Sequence, residues 1–264
     1  MEKRLEEARV LRDMGFRHIL FLTGEHRNAV PPEDIAETAF RLKKIFSSVS
    51  IEIYPMGTEE YADVIKAGAD GLTIYQETYD TEIYSEIHLK GKKTDFDYRL
   101  NTPDRGGIAG FRRIGIGALL GLSDWRTDGF YTALHALYLS NKYWKSQINL
   151  SFPRITPAGS SFEPAFKAED RDLVHLICAM RIILPDSGLV LSTREPQDIR
   201  DNLIPLGITM MSAGSKTDPG GYSSSEPHEG QFKVEDIRSP DEISGLLKKK
   251  GFDPVWKDWD SEFL

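Results

Sequence analysis

Seven apolar, β-branched runs in this 264-residue chain each end in residues able to bind or react. They lead into Thr23-Gly24-Glu25-His26, Tyr54-Pro55-Met56, Gln76-Glu77-Thr78-Tyr79, Gly121-Leu122-Ser123-Asp124, Pro153-Arg154, Ser192-Thr193-Arg194-Glu195 and Ser212 to Lys216. A carboxylate such as Glu25 accepts hydrogen bonds from an ammonium group; its plainer role is capping a helix or meeting solvent. The Arg194 guanidinium can grip a carboxylate through two parallel hydrogen bonds, with Ser192 two residues earlier on the same strand face; its plainer role is a surface pair with Glu195. His26 has no carboxylate partner in the sequence, so acid–base work is not expected of it. The lysines of LKGKK (89–93) have the look of an anion clamp, although such runs are most often solvated, and Asp95, Asp97 and Arg99 offer them charge partners. One polar strand end means little, because loops are polar anyway. Seven on one face describe a small-molecule site.

The elements that would hold these residues are strands at 18–23, 50–54, 71–75, 114–119, 148–152, 189–192 and 208–212. Their near-continuous Ile, Leu and Val content predicts strands covered on both faces. Amphipathic helical patterns fall at 32–46, 59–67, 96–111, 129–143, 168–183 and 196–203, with Gly68 and Gly110 as stop signals. Such alternation predicts βαβ crossovers and a parallel sheet, in the rhythm of an α/β, TIM-type (β/α) barrel. An open doubly wound sheet is the alternative, but no G-x-G-x-x-G or P-loop follows any strand. Residues 2–14 read as a crossover helix with no strand before it, so the expected barrel is partial, strands 2–8 of eight, with an exposed sheet edge. The whole chain is expected to form one barrel domain. Residues 213–264 form a C-terminal extension of loop and helix (239–250), docked by Phe252, Trp256 and Trp259.

Composition narrows the function. The 33 basic and 41 acidic side chains give a net charge of −8, which lacks the basic excess of a nucleic-acid binder. No run approaches a membrane span, and MEKRLEEARV is not a signal peptide. The single cysteine, Cys178, excludes an internal disulfide or a multi-cysteine metal site made by these residues alone. Its place in LVHLICAMRIIL predicts a buried, inert thiol. A cytoplasmic location is expected. A metal-dependent barrel lyase is disfavoured, since no His and carboxylate ligands cluster at one strand end.

The strings TGEH, YQETYD, HLKGKKTDFDYRLNTPDR, IGIGALLGLSDW, SFPRI, LSTREP, IPLGIT, SAGSKTDPGGY and PVWKDWDS resemble the 2-iminoacetate synthase (ThiH) family across essentially the whole chain. These are radical S-adenosylmethionine tyrosine lyases of thiamine biosynthesis. A sister family, the tyrosine lyase of hydrogenase cluster maturation, shares YQETY and STRE but carries a further cysteine-rich domain. The resemblance implies that a reduced [4Fe–4S] cluster cleaves S-adenosylmethionine and that the resulting radical attacks L-tyrosine. The Cα–Cβ bond then breaks to give 4-cresol and 2-iminoacetate, the protein's task being to position and sequester the reactants. It also implies a thiazole synthase as partner and an electron donor such as flavodoxin or ferredoxin.

Carried over by motif, Thr23, Gly24 and Glu25 receive the methionine ammonium of adenosylmethionine. Gln76 faces its ribose with Thr78 nearby, and Arg99 meets its carboxylate. Ser192 and Arg194 hold the carboxylate of the substrate amino acid, while Tyr54, Tyr79 and Ser212 line the cavity. The family's CxxxCxxC cluster loop has no counterpart in this sequence. The expectation is a truncated gene, an internal start or a split polypeptide, inactive by itself because three thiolates are absent. The alternative is a non-catalytic barrel that serves as a partner-binding surface.

Overall fold

A computed structural model describes residues 2–155, 163–218, 220–223 and 233–256. Helix α1 (Glu2–Asp13) leads into strand β1 (His18–Leu22), and α2 (Pro32–Lys43) crosses to β2 (Ser48–Glu52). There follow α3 (Thr58–Lys66), β3 (Gly71–Thr73), α4 (Thr81–Ile87), a 3-10 turn at Lys92–Thr94, α5 (Phe96–Leu100), α6 (Thr102–Ala109) and β4 (Arg113–Gly117). The second half holds α7 (Trp125–Lys142), β5 (Gln147–Ser151), α8 (Asp170–Ile183), β6 (Gly188–Leu191), α9 (Gln197–Leu203), β7 (Met210–Met211) and α10 (Pro240–Lys249).

All seven strands run parallel in sequential order, β1 to β7. They curl into part of a (β/α) barrel, and no pairing joins β1 to β7 among the described residues. Leu20 and Leu22 of β1 remain 37% and 45% exposed, as befits an open edge.

The two faces of the sheet differ, which corrects the expectation of apolar cover on both. Val49, Ile51, Leu72, Ile114, Ile116, Ile148, Leu150, Leu189 and Leu191 face the helices and are buried. The strand period of two therefore turns Ser48, Ser50, Glu52, Thr73, Gly115, Gly117, Asn149, Ser151 and Gly188 into the lumen. Low in that lumen, Arg113 donates to Ser48 and pairs with Asp70 at 3.1 Å. His18 Nε2 meets Ser50 Oγ at 2.9 Å nearby.

Glycine keeps the lumen open. A Cβ on Gly117 would strike the Ser151 carbonyl and come within 3.1 Å of the Tyr75 ring. Gly117→Ala is expected to cost about 2 kcal/mol, the scale of overpacking, seen as a lower urea midpoint at unchanged slope. A loss below about 0.5 kcal/mol, the level of a neutral surface change, would mean that the sheet yields freely there.

Several element boundaries differ from the sequence expectation for local reasons. The predicted helix 96–111 breaks at Asn101, because Pro103 in the first turn of α6 supplies no amide donor. α7 begins four residues before Gly129, where the Asp124 carboxylate accepts the Arg126 amide at 2.7 Å. Gly129 is an interior residue of that helix; a Cβ there would meet Leu176 Cδ1 at 2.5 Å. β2 starts two residues early, on serines that the lumen accepts. α4 has no counterpart among the expected helices; Asp80 caps it through the Glu82 and Ile83 amides, both at 3.0 Å. Cys178 is half-buried rather than buried: Leu173, Leu176, Ile177 and Met180 take the core face of α8.

The described part of the extension packs back on the barrel. Ile243 of α10 is buried, and Trp256 packs edge-on against Phe16, with ring centroids 5.5 Å apart. Trp259 and residues 224–232 of the predicted loop lie outside the described residues. No described helix is long and apolar enough to cross a membrane.

Candidate functional site

The carboxyl ends of the strands gather four charged side chains from distant parts of the chain. Arg99 of α5, 5% exposed, donates from Nη1 to Glu25 Oε1 at 2.7 Å and from Nη2 to Glu77 Oε1 at 3.1 Å. Its Nε donates to the Tyr75 carbonyl at 2.8 Å, locking the guanidinium against β3. Lys93 donates to Glu77 Oε1 at 2.7 Å and lies 3.5 Å from Glu25 Oε1. Burial alone would raise the Glu77 carboxyl, but Lys93 and then Arg99 hold it below its ordinary value. Glu77 is also the one described non-glycine residue at positive φ, +73°. Holding a glutamate there costs on the order of 1–3 kcal/mol, a strain characteristic of functional loops.

Below and around this group, the strand-end residues divide by what they touch. Gln76 is buried, its amide nitrogen has no hydrogen-bond partner, and Thr23 Oγ1 is in the same state. Gly24 leaves open space where a Cβ would stand. Thr78 is fully buried and donates to Asp128 at 2.9 Å, with Ser123 at 3.0 Å. Asp128 also receives the Tyr79 amide at 2.7 Å, so this network fixes the loop that carries Gln76 and Glu77. The Tyr79 hydroxyl meets His135 Nδ1 at 2.9 Å on the α7 side. Tyr54 donates to the Val30 carbonyl at 2.7 Å and supports the β1–α2 loop. Both tyrosines thus spend their hydroxyls on the scaffold. His26 is exposed, and its Nδ1 accepts the Ala29 amide at 3.1 Å.

Across the lumen stands Arg194. Burial is the first cause lowering its pKa, and Tyr75, Glu52 and Glu77 are the nearby groups opposing that shift. Ser192 Oγ accepts the Arg194 amide at 3.3 Å, shaping the turn between them. Glu195, whose charge also opposes the Arg194 shift, is no surface residue: it is buried and takes Arg154 Nε at 3.1 Å. Arg194 also borders a cavity of about 390 Å³ with Leu120, Arg154, Ile155, Pro164 and Glu235. The extension reinforces this loop: the Glu235 and Asp236 amides donate to the Thr193 carbonyl at 2.9 and 3.2 Å. Ser212 follows β7 with its amide on the Leu191 carbonyl at 3.0 Å, and its own carbonyl receives Arg200.

Strand-end position picks out Glu25, Gln76 and Arg194 and includes Glu77 without a role, and the family resemblance adds Arg99. Neither marks Glu52 or Tyr75 as a member of the site, and Lys93 reads as a solvated residue. Glu52 carried a signal: it is a lone carboxylate ending an otherwise apolar and serine strand.

A parallel (β/α) barrel with its charged groups at the carboxyl strand ends is the architecture of a barrel enzyme acting on a small molecule. The Biotin and Thiamin Synthesis associated domain matches residues 151–253. The chain is 46% identical over 256 residues to the 2-iminoacetate synthase of Escherichia coli (strain K12), covering 97% of this chain and 68% of that protein. The Salmonella typhimurium enzyme of the same description is 45% identical over the same shares. Among solved structures, HydG, a maturase of the [FeFe]-hydrogenase, superposes with a TM-score of 0.90 at 30% identity, over 97% of this chain. HydG from Carboxydothermus hydrogenoformans gives 0.89 at 36%. The chain spans 58% and 59% of those two HydG chains. This chain belongs to the 2-iminoacetate synthase family.

Proposed function

We propose that this chain provides the S-adenosylmethionine and tyrosine surfaces of a lyase that splits the tyrosine Cα–Cβ bond to 2-iminoacetate and 4-cresol. The observation that carries the reading is the Glu25–Arg99–Glu77–Lys93 group facing Arg194 across an open, glycine-floored lumen. The residues present suit adenosylmethionine. Its methionine end is a zwitterion, and Glu25 and Arg99 already form the complementary pair: the carboxylate would take the ammonium, the guanidinium the carboxylate. The unpartnered Gln76 amide nitrogen suits a ribose hydroxyl. Given one electron from a reductant outside these residues, adenosylmethionine would supply the hydrogen-abstracting group; the protein orients both ligands and excludes water. Arg194 and Ser192 would fix the tyrosine carboxylate, leaving the aromatic ring to the rest of the lumen.

An iron–sulfur cluster does not suit these residues. A three-thiolate site needs three cysteines, these 264 residues hold one, and it lies on α8. No group of three His, Cys, Asp or Glu among the described residues could hold a metal. A thiazole synthase to consume the product and a one-electron donor are the partners this reading implies. The HydG likeness favours a second reading, the tyrosine lyase of hydrogenase maturation, which would use the same two surfaces.

Titration calorimetry of the chain tests the proposal. Both adenosylmethionine and tyrosine should bind saturably. Arg99→Met should weaken adenosylmethionine roughly tenfold or more, the value of a lost charge-assisted hydrogen bond, and leave tyrosine unchanged. Heat from neither ligand would overturn the reading.

A further inference from the structure

The chemistry above leaves one lumen carboxyl unused. β2 buries Val49 and Ile51 completely, which turns Glu52 inward at the top of the strand, paired in register with Leu22 of β1 and Thr73 of β3. Its backbone carbonyl receives the Thr23 amide at 3.1 Å, just below Gly24 and Glu25. Glu25 and Glu77 each have a cation within 2.7 Å. Glu52 differs: among the described residues no hydrogen bond or ion pair engages its carboxyl. Although it still meets lumen solvent, the surrounding protein strips much of its hydration. That burial, then the charge of Glu77, pushes it up to about 7. A carboxyl that loses water and gains no donor is expensive to keep.

The charged groups facing it are Glu77 beyond β3, Lys93 and Arg99 from the segment between α4 and α6, and Arg194 beyond β6; the Tyr75 hydroxyl completes the set. Lys93 and Arg99 are committed to Glu25 and Glu77. Arg194 follows β6 of the same curled sheet, at the carboxyl end where Glu52 closes β2, and each acts on the other's charge. An α-amino acid whose carboxylate lies on Arg194 carries its ammonium two bonds away.

We propose that Glu52 receives the ammonium group of the amino-acid substrate, so that Glu52 and Arg194 form a zwitterion clamp across the lumen. This rests on the reading of Arg194 as the carboxylate site. The ammonium brings three donors and a full positive charge to a carboxyl that lacks both. It drives that carboxyl to its ionised form, so binding expels the proton that Glu52 holds near neutral pH.

The test is calorimetry of the full chain at pH 7, in buffers of differing ionisation enthalpy, with three ligands. These are tyrosine, 3-(4-hydroxyphenyl)propionate (no amine) and tyramine (no carboxylate). Tyrosine should release about half a proton on binding. Glu52→Gln should abolish that release and weaken tyrosine roughly tenfold, while the propionate binds as before and so reports an intact fold. Arg194→Lys should weaken tyrosine and the propionate but not tyramine. Unchanged tyrosine affinity and proton release in Glu52→Gln, with Arg194→Lys still impaired, would overturn the role of Glu52 and leave the carboxylate site standing. Loss of adenosylmethionine rather than tyrosine in Glu52→Gln would overturn it too, by assigning the carboxyl to the other ligand. No tyrosine binding by the unaltered chain would remove the site itself.

Discussion

Replacing Asp236 with alanine should destabilise the chain by about 3–5 kcal/mol, the cost of removing one partner from a buried ion pair. Arg200 and Asp236 are both fully buried and joined by a direct hydrogen bond. Burial would raise the Asp236 carboxyl, but Arg238 first, and Arg200 after it, hold it below its ordinary range. Arg238 reaches it through Nε at 2.9 Å and anchors itself to Asp201 at 2.8 Å. Without the carboxylate, Arg200 would stay charged inside the protein, its other amine still on the Ser212 carbonyl. The damage should spread toward the site, because the 235–236 backbone holds the Thr193 carbonyl between Ser192 and Arg194. Urea unfolding measures the loss, and hydrogen exchange at 192–195 measures the loosening. The double variant Arg200→Met, Asp236→Leu should recover most of the stability, since an apolar pair of similar volume needs no compensating charge. A single-variant loss below about 1 kcal/mol, no more than an exposed pair is worth, would show that the pair does not anchor the extension.

The second large effect is one of pH. Glu52 has a folded pKa of about 7 against an ordinary 4.5, so the folded state holds this proton more tightly than the unfolded state does. Stability is therefore lost as pH rises from about 4.5 to 7 and levels off above that range. His18 and His135 act in the opposite sense. Burial lowers them to about 3 and about 4 from 6.5, with Arg113 adding to the effect on His18. Each costs about 1.4 kcal/mol of stability per pH unit as pH falls below about 6.5, until its folded pKa is reached. The three together place the stability optimum between about pH 6 and 7. Glu52→Gln removes the alkaline limb: it should leave stability near its original value at pH 4.5 and raise it by about 2–3 kcal/mol at pH 8. Denaturant titrations at the two pH values read this directly. Equal effects at both would mean that Glu52 titrates normally. A binding residue whose removal stabilises the fold is the expected trade between stability and function.

Much of the scaffold was legible in the sequence, because strands and helices are written in local periodicity. The seven apolar runs became seven strands, and the helix boundaries that slipped did so at caps and prolines, as with Asp124 and Pro103. The site was less legible. Glu25, Gln76 and Arg194 stand at strand ends, where position alone marks them. Lys93, in a lysine-rich loop, looks like any solvated lysine until the fold sets it against Glu77. Glu77 and Glu52 are single acidic residues whose meaning depends on which face of the strand curls inward. A shift of one residue in register would have put Glu52 among the helices.

The sequence by itself therefore determined the alternating parallel architecture, the placing of polar groups after each strand, the family resemblance and the presence of one thiol. Tertiary structure alone decided which charges meet. Glu25, Glu52, Glu77, Arg99 and Arg194 are scattered over the chain and become one site only because the sheet curls. Ion pairing and pKa depend on separations of a few ångströms and on lost hydration, and neither quantity exists until the chain has folded.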